Sequence, residues 1–191
     1  MFHEHQRKLF HCLAIAFPII YYFISYPQMI ATLTIINLIA LSIDLSRRYK
    51  TNIQDLVVKI FGNIIRQHEL NSLSGLSYMA LGFLITAIFF KKNIVILSWL
   101  VLIICDPVAG LYGQHFGKKT KWGKSLAGSY AFIACAFLVC LMGVSFFGLY
   151  INFLKMLAAI CITALAEFYS KLLKIDDNLL IPLIFCIISS L

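Results

Sequence analysis

Apolar residues in this chain fall in runs about as long as a bilayer is thick, separated by short polar segments. A helix needs roughly 20 consecutive apolar residues to cross the hydrocarbon core. Runs of that length lie at roughly 9–26, 27–46, 72–90, 93–112, 128–147 and 148–170, and a shorter one at 178–191 reads as a tilted or re-entrant helix. Between the second and third runs, residues 53–65 place Ile53, Leu56, Val57, Ile60 and Ile64 on one helical face. That spacing predicts an amphipathic helix lying at the membrane interface. The pattern as a whole predicts an all-α polytopic bundle of six or seven spans. It forms one domain over residues 1–191, with no internal repeat and no linker.

Composition agrees with the pattern. The chain is 61% hydrophobic and 13% charged, about half the charged content of a typical soluble domain. The first apolar run is followed by further spans, so it reads as a span and not as a cleaved signal. The six cysteines are scattered through apolar runs without CxxC spacing and read as small buried hydrophobes.

The net charge of +8 does not imply a nucleic-acid partner, because no basic stretch is interleaved with stacking aromatics. It reports orientation instead, since basic residues concentrate on cytosolic loops. With a cytosolic N-terminus, the inside segments hold Arg7, Lys8, Arg47, Arg48, Lys50, Lys59, Arg66, Lys118, Lys119, Lys121, Lys124, Lys171 and Lys174. These are thirteen of the sixteen basic residues. The outside holds Lys91 and Lys92. The acidic residues follow the same side: Glu4, Asp44, Asp55, Glu69, Asp106, Glu167, Asp176 and Asp177 all fall in or near cytosolic segments. A transporter more often spreads ionisable groups through the midplane. Gathering them on one face points to an enzyme working at the cytosolic surface of a bacterial inner membrane or of the endoplasmic reticulum.

The stretch 106–129, DPVAGLYGQHFGKKTKWGKSLAGS, carries the strongest chemical signal. A carboxylate inside a span costs about 2.5–3.5 kcal/mol on insertion scales and is a functional-site hypothesis by default. Asp106, Gly110, Gly113 and Gly117 share one helical face. Their spacing fits either a packing stripe or a bare face where backbone approaches a phosphate while Asp106 holds magnesium. The presence of Asp106 favours the second. Lys118, Lys119, Lys121 and Lys124 follow within seven positions. Such a loop sets topology in any membrane protein, but beside Asp106 it also suits a polyphosphate. Lys124 is the better placed to meet a phosphate and Lys119 the better candidate for a spare. The GKS at 123–125 is not a Walker A loop: five residues separate Gly117 from Gly123 where the motif has four, and no strand precedes them. Ser125 and Ser129 suit the start of the next helix, where a hydroxyl caps free N–H groups or an anion is held.

Other constellations are weaker. Glu69 and Asn71 precede a span whose Gly75, Tyr78, Met79 and Gly82 share a face. Glu4, Arg7, Lys8 and His11 lie three or four apart, as ion pairs on an interfacial helix do. Glu167 lies four before Lys171, a spacing that allows a local ion pair in place of a catalytic role. Asp176, Asp177 and Asn178 form either a solvated turn or part of a metal site.

Four pieces in order, RKLFHCLA, HELNSLSGLSYMALG, DPVAGLYGQHFGKKTKWGKSLAGSYAF and AEFYSKLLKIDDNLLIPL, resemble the dolichol kinase and phytol kinase superfamily. That superfamily includes the CTP-dependent diacylglycerol kinases and is similar to the phosphatidate cytidylyltransferases. The long acidic C-terminal signature of the cytidylyltransferases is missing here, which favours a kinase. The resemblance implies phosphoryl transfer from a nucleoside triphosphate, commonly CTP, to the hydroxyl of a membrane lipid alcohol. The matching positions are Asp106, Gly110, Gly117, Lys118, Lys124, Ser125, Gly128, Ser129, Glu167, Asp177 and Asn178. On that reading Asp106 holds magnesium with Asp177, Lys118 and Lys124 bind phosphates, and Glu167 or Glu69 accepts the hydroxyl proton. The competing class is a small transporter or assembly factor whose lysine loop only sets topology. Neither the lipid, the choice between CTP and ATP, nor the oligomeric state has a linear signature.

Overall fold

The computed structural model describes residues 13–49, 72–121 and 123–191. Arg7, His11, Glu69, Asn71 and the predicted interfacial helix at 53–65 lie outside them. The described residues form seven helices: α1 (Ala16–Phe23), α2 (Tyr26–Tyr49), α3 (Gly75–Phe89), α4 (Lys92–Phe116), α5 (Leu126–Phe147), α6 (Phe153–Leu173) and α7 (Asp177–Ser190). Four of them, α2, α4, α5 and α6, are long and apolar enough to cross a membrane. The fold is a helical membrane bundle, as the runs predict.

The helix edges follow from local chemistry more than from hydropathy. The predicted span 148–170 begins later, because Gly148 ends α5 in the left-handed region at φ 61°. Asn152 then caps α6, its side chain accepting from the N–H groups of Leu154 and Lys155. The apolar residues 149–151 are therefore a connection. Conversely α4 runs to Phe116, one turn beyond its apolar stretch. α3 and α7 are both shorter than a straight crossing requires. They pack on each other, and a Cβ added to Gly82 of α3 would lie 2.9 Å from the Asn178 carbonyl oxygen.

α4 is the central helix: 67% of its most apolar window is buried, against 44% for α6 and less for α2 and α5. Trp99 is fully buried between Tyr21 and Phe83, with ring centroids 5.4 and 4.4 Å away. Its indole N–H donates to the Thr86 hydroxyl at 2.9 Å, which donates on to the Gly82 carbonyl at 2.7 Å. A buried indole needs that partner, since lipid and core supply none. Asp44, only 3% exposed, accepts from the Ser74 N–H at 2.8 Å and its hydroxyl at 3.1 Å, fixing the start of α3 against α2. At the opposite end Lys92 donates to the Tyr22 and Ile24 carbonyls. The start of α3, the end of α4, the start of α5, the end of α6 and the start of α7 thus gather at one end of the bundle, around a single cavity.

Candidate active site

The cavity has a volume of about 690 Å³ and is lined from all five of those helix ends. One of its carboxylates, Asp106, is placed by a break in α4. Pro107 cannot donate an N–H, and its ring crowds the carbonyl four residues back, that of Ile103. The helix widens into a π-helical turn over Val101–Cys105, and Asp106 follows it directly. Such turns relieve the crowding and re-aim the next side chain. From Asp106 to the helix end at Phe116 is ten residues, roughly 15 Å along the axis. The carboxylate is sunk well inside the bundle.

The glycine face of α4 is used chiefly for packing. A Cβ on Gly113 would lie 2.5 Å from the Ser125 hydroxyl oxygen and 3.3 Å from the Gly128 Cα. One on Gly128 would lie 2.8 Å from the Ala109 carbonyl oxygen. Gly117 is also closed over by Ser125. The expectation of an open stripe for phosphate is therefore corrected at Gly113 and Gly117, because the N-terminal turn of α5 lies against them. Gly110, Gly113 and Gly128 still contribute to the cavity wall. Gly128→Ala should destabilise the protein by about 1–3 kcal/mol through overpacking against backbone. Its thermal unfolding midpoint in detergent would fall; an unchanged midpoint would show that the α4–α5 contact can yield.

The loop between α4 and α5 is held as a turn. The Thr120 N–H and hydroxyl both donate to the Lys124 carbonyl, at 2.8 and 2.9 Å, and the Gly123 N–H donates to the Thr120 carbonyl at 2.8 Å. Ser125 then caps α5, accepting from the Gly128 N–H at 3.1 Å, so GKS is a helix start and no Walker loop. This turn sends Lys124 inward. Its ammonium donates to Glu167 Oε1 and, at 2.7 Å, to Asp177 Oδ2. Burial alone would lower the pKa of Lys124. The charges of Asp177, Asp106 and Glu167 outweigh it and raise the pKa above the usual lysine value. The ammonium stays charged at any physiological pH.

Asp106, Glu167 and Asp177 form a trio whose ligand oxygens all lie within 4.8 Å of one another. Glu167 is 4% exposed. Asp177 Oδ1 is buried and accepts no hydrogen bond from any described residue. The neighbours of Asp177 explain themselves differently: Asp176 caps α7, and Asn178 braces it through its own N–H at 3.0 Å and side-chain amide at 2.8 Å. The local Glu167–Lys171 pair suggested by spacing does not form, because Lys124 takes Glu167 from the loop between α4 and α5. Lys171 instead lies over Gly123, which at φ 75° carries no side chain to obstruct its ammonium. With Lys119 and Lys174 it lines the same cavity as the trio.

The cavity thus brings together Asp106, Gly110, Gly113, Lys124, Ser125, Gly128, Ser129, Glu167 and Asp177. Gly117, Lys118 and Asn178 are not among its lining residues, whereas Lys119 is. Lys171 and Lys174 were missed as site residues. Their position between Glu167 and Asp177 in the chain was the available signal.

Comparison with known proteins gives the same direction. An uncharacterised protein of Rickettsia prowazekii is 43% identical over 188 residues, covering 96% of this chain and 92% of that one. The CTP-dependent diacylglycerol kinase 1 of Saccharomyces cerevisiae is 28% identical over 144 residues, covering 72% and 49% of the two chains. Its namesake in Schizosaccharomyces pombe is 30% identical over 142 residues, covering 66% and 63%. The chain belongs to the superfamily of the dolichol kinases and CTP-dependent diacylglycerol kinases. The matched part is about half of the Saccharomyces kinase and under two thirds of the Schizosaccharomyces one. No protein-family model matches the chain, nor does any solved structure. Within this superfamily, the described residues supply a membrane bundle with a charged cavity at one end.

Proposed function

We propose that the chain is a membrane-integral lipid kinase that transfers a phosphoryl group from a nucleoside triphosphate, CTP by kinship, to the hydroxyl of a membrane lipid alcohol. Diacylglycerol, a polyprenol or phytol would each present such a hydroxyl below an apolar tail. The observation that carries this reading is the meeting of two charge sets in one cavity: its lining holds three clustered carboxylates and also Lys119, Lys171 and Lys174. Membrane insertion alone asks for basic loops; it does not ask for buried carboxylates.

The trio fits a divalent metal such as magnesium. Its donors are hard oxygens, the kind this ion prefers. Three carboxylates and one ammonium leave two negative charges, and an unpartnered Asp177 Oδ1 is available to a ligand. Asp106 and Asp177 would hold the ion, which would supply positive charge to offset that of the phosphates. Lys119 and Lys171 would face the triphosphate and align it. The bond from the γ-phosphorus to its bridging oxygen breaks and a bond to the lipid oxygen forms. The nucleoside diphosphate leaves, and the hydroxyl proton passes to a carboxylate or to water. Engagement of Glu167 by Lys124 favours a place in the cation seat over proton acceptance, and a loose phosphoryl transition state needs little help from a base. Leu73, Tyr78 and Ile175 add apolar surface to the cavity lining, which suits contact with a lipid substrate.

The decisive assay offers purified protein four nucleoside triphosphates crossed with a panel of lipid alcohols. Labelled lipid phosphate should appear with magnesium and disappear on chelation; no transfer in any pairing would sink the kinase reading. Orientation is tested separately. Single cysteines at Gln114 and Gln28, in a background freed of other cysteines, should label from the cytosol and from the opposite side respectively. The reverse pattern would put the cavity away from cytosolic nucleotide.

A further inference from the structure

We infer that Lys124 is a built-in counter-ion of the carboxylate trio, setting it to receive one divalent cation, and is not a phosphate ligand. The inference deepens the kinase reading and rests on it for the metal's role. Lys124 spends its ammonium on two carboxylates at once, Glu167 and Asp177, and only 19% of its side chain is exposed. Reaching a phosphate would mean abandoning both bonds and leaving Glu167, the most buried member of the trio, with no partner among the described residues. The backbone gives little freedom for that move, because Thr120 ties the Lys124 carbonyl twice. The charge arithmetic is specific. Three carboxylates alone carry three negative charges and would favour a trivalent ion or two cations. With Lys124 they carry two, which one divalent cation cancels. Lys124 covers Glu167 Oε1 and Asp177 Oδ2, while Asp177 Oδ1 stays without a hydrogen-bond partner. The seat is built with one cation already in place and room for a second.

The test is equilibrium metal binding to the full chain in detergent, with no nucleotide and no lipid. Mn²⁺ is followed by its paramagnetic resonance and Tb³⁺ by its luminescence. Wild-type protein and Lys124→Arg should each bind one Mn²⁺. Lys124→Met should raise the preference for Tb³⁺ over Mn²⁺ by at least about tenfold, since a unit charge a few ångströms from an ion matters even when screened. Adding Glu167→Gln to Lys124→Met restores two negative charges and should restore the wild-type preference. Glu167→Gln alone leaves one negative charge and should weaken Mn²⁺ binding about tenfold, which keeps the test open if Lys124→Met does not fold. An unchanged Tb³⁺ to Mn²⁺ preference in Lys124→Met would overturn the inference. So would Mn²⁺ binding to wild type only when CTP is present. Absence of lipid phosphorylation with this metal behaviour intact would count against the kinase reading and leave the counter-ion assignment standing.

Discussion

Asp106→Asn should lower phosphoryl transfer by on the order of a thousandfold while the protein still inserts and folds. Asparagine keeps the size and one oxygen of aspartate, so the turn before Pro107 is not disturbed. What is lost is one of the trio's charges. With Lys124 fixed between Glu167 and Asp177, the seat would drop from two negative charges to one and no longer neutralise a divalent ion. Folding should not suffer. Taking a carboxylate out of water costs several kcal/mol, so replacing one that has like-charged neighbours is often neutral or stabilising. The thermal midpoint should hold or rise while the initial rate collapses at every magnesium concentration. Near-normal turnover in this variant would reduce Asp106 to a structural residue of the α4 break.

The fold was legible in the sequence because the bilayer imposes a single length on apolar runs. The runs that became α2, α4 and α5 were each visible as hydropathy. The edge of α6 was misplaced because composition continues unbroken through residues 149–151, and only Gly148 and Asn152 end one helix and start the next. The members of the site were legible too: Asp106, Lys124, Glu167 and Asp177 each stood out as polar residues in or beside apolar runs. Their partnerships were not. Glu167 has Lys171 four residues on, and local spacing offers that pair, yet packing of α5 against α6 delivers Lys124 from 43 positions away. The glycine spacing on α4 marked a special face without saying what lies against it. Ser125 and Gly128 do, so packing claims most of the stripe. Which lysines of the loop face inward depends on the Thr120 hydrogen bonds and the left-handed Gly123, and neither leaves a mark in the hydropathy or charge pattern.

The folding of this loop changes which lysines should matter for nucleotide binding. From the sequence, Lys118 and Lys124 are the phosphate ligands and Lys119 is spare. In the structure Lys124 is committed to carboxylates, Lys119 lines the cavity and Lys118 does not, and Lys171 and Lys174 join from the end of α6. Among the described residues Lys171 has no carboxylate partner, and its ammonium is brought over the loop at Gly123. A hydrogen bond from an ammonium to a phosphate typically contributes about 1.5–3 kcal/mol. Lys171→Gln should therefore raise the Kd for CTP by about tenfold or more, measured with calcium replacing magnesium so that turnover does not intervene. Lys119→Gln should act in the same direction, and the double variant should lose more than either. Lys118→Gln should stay within about twofold, and raising the salt should weaken wild type more than Lys171→Gln, because the missing charge no longer contributes to the screened attraction. All of these variants keep enough basic residues on the same side to preserve orientation. If Lys118, Lys119 and Lys171 give equal and small effects, these lysines only set topology, and a non-enzymatic membrane protein becomes the better account of the cavity.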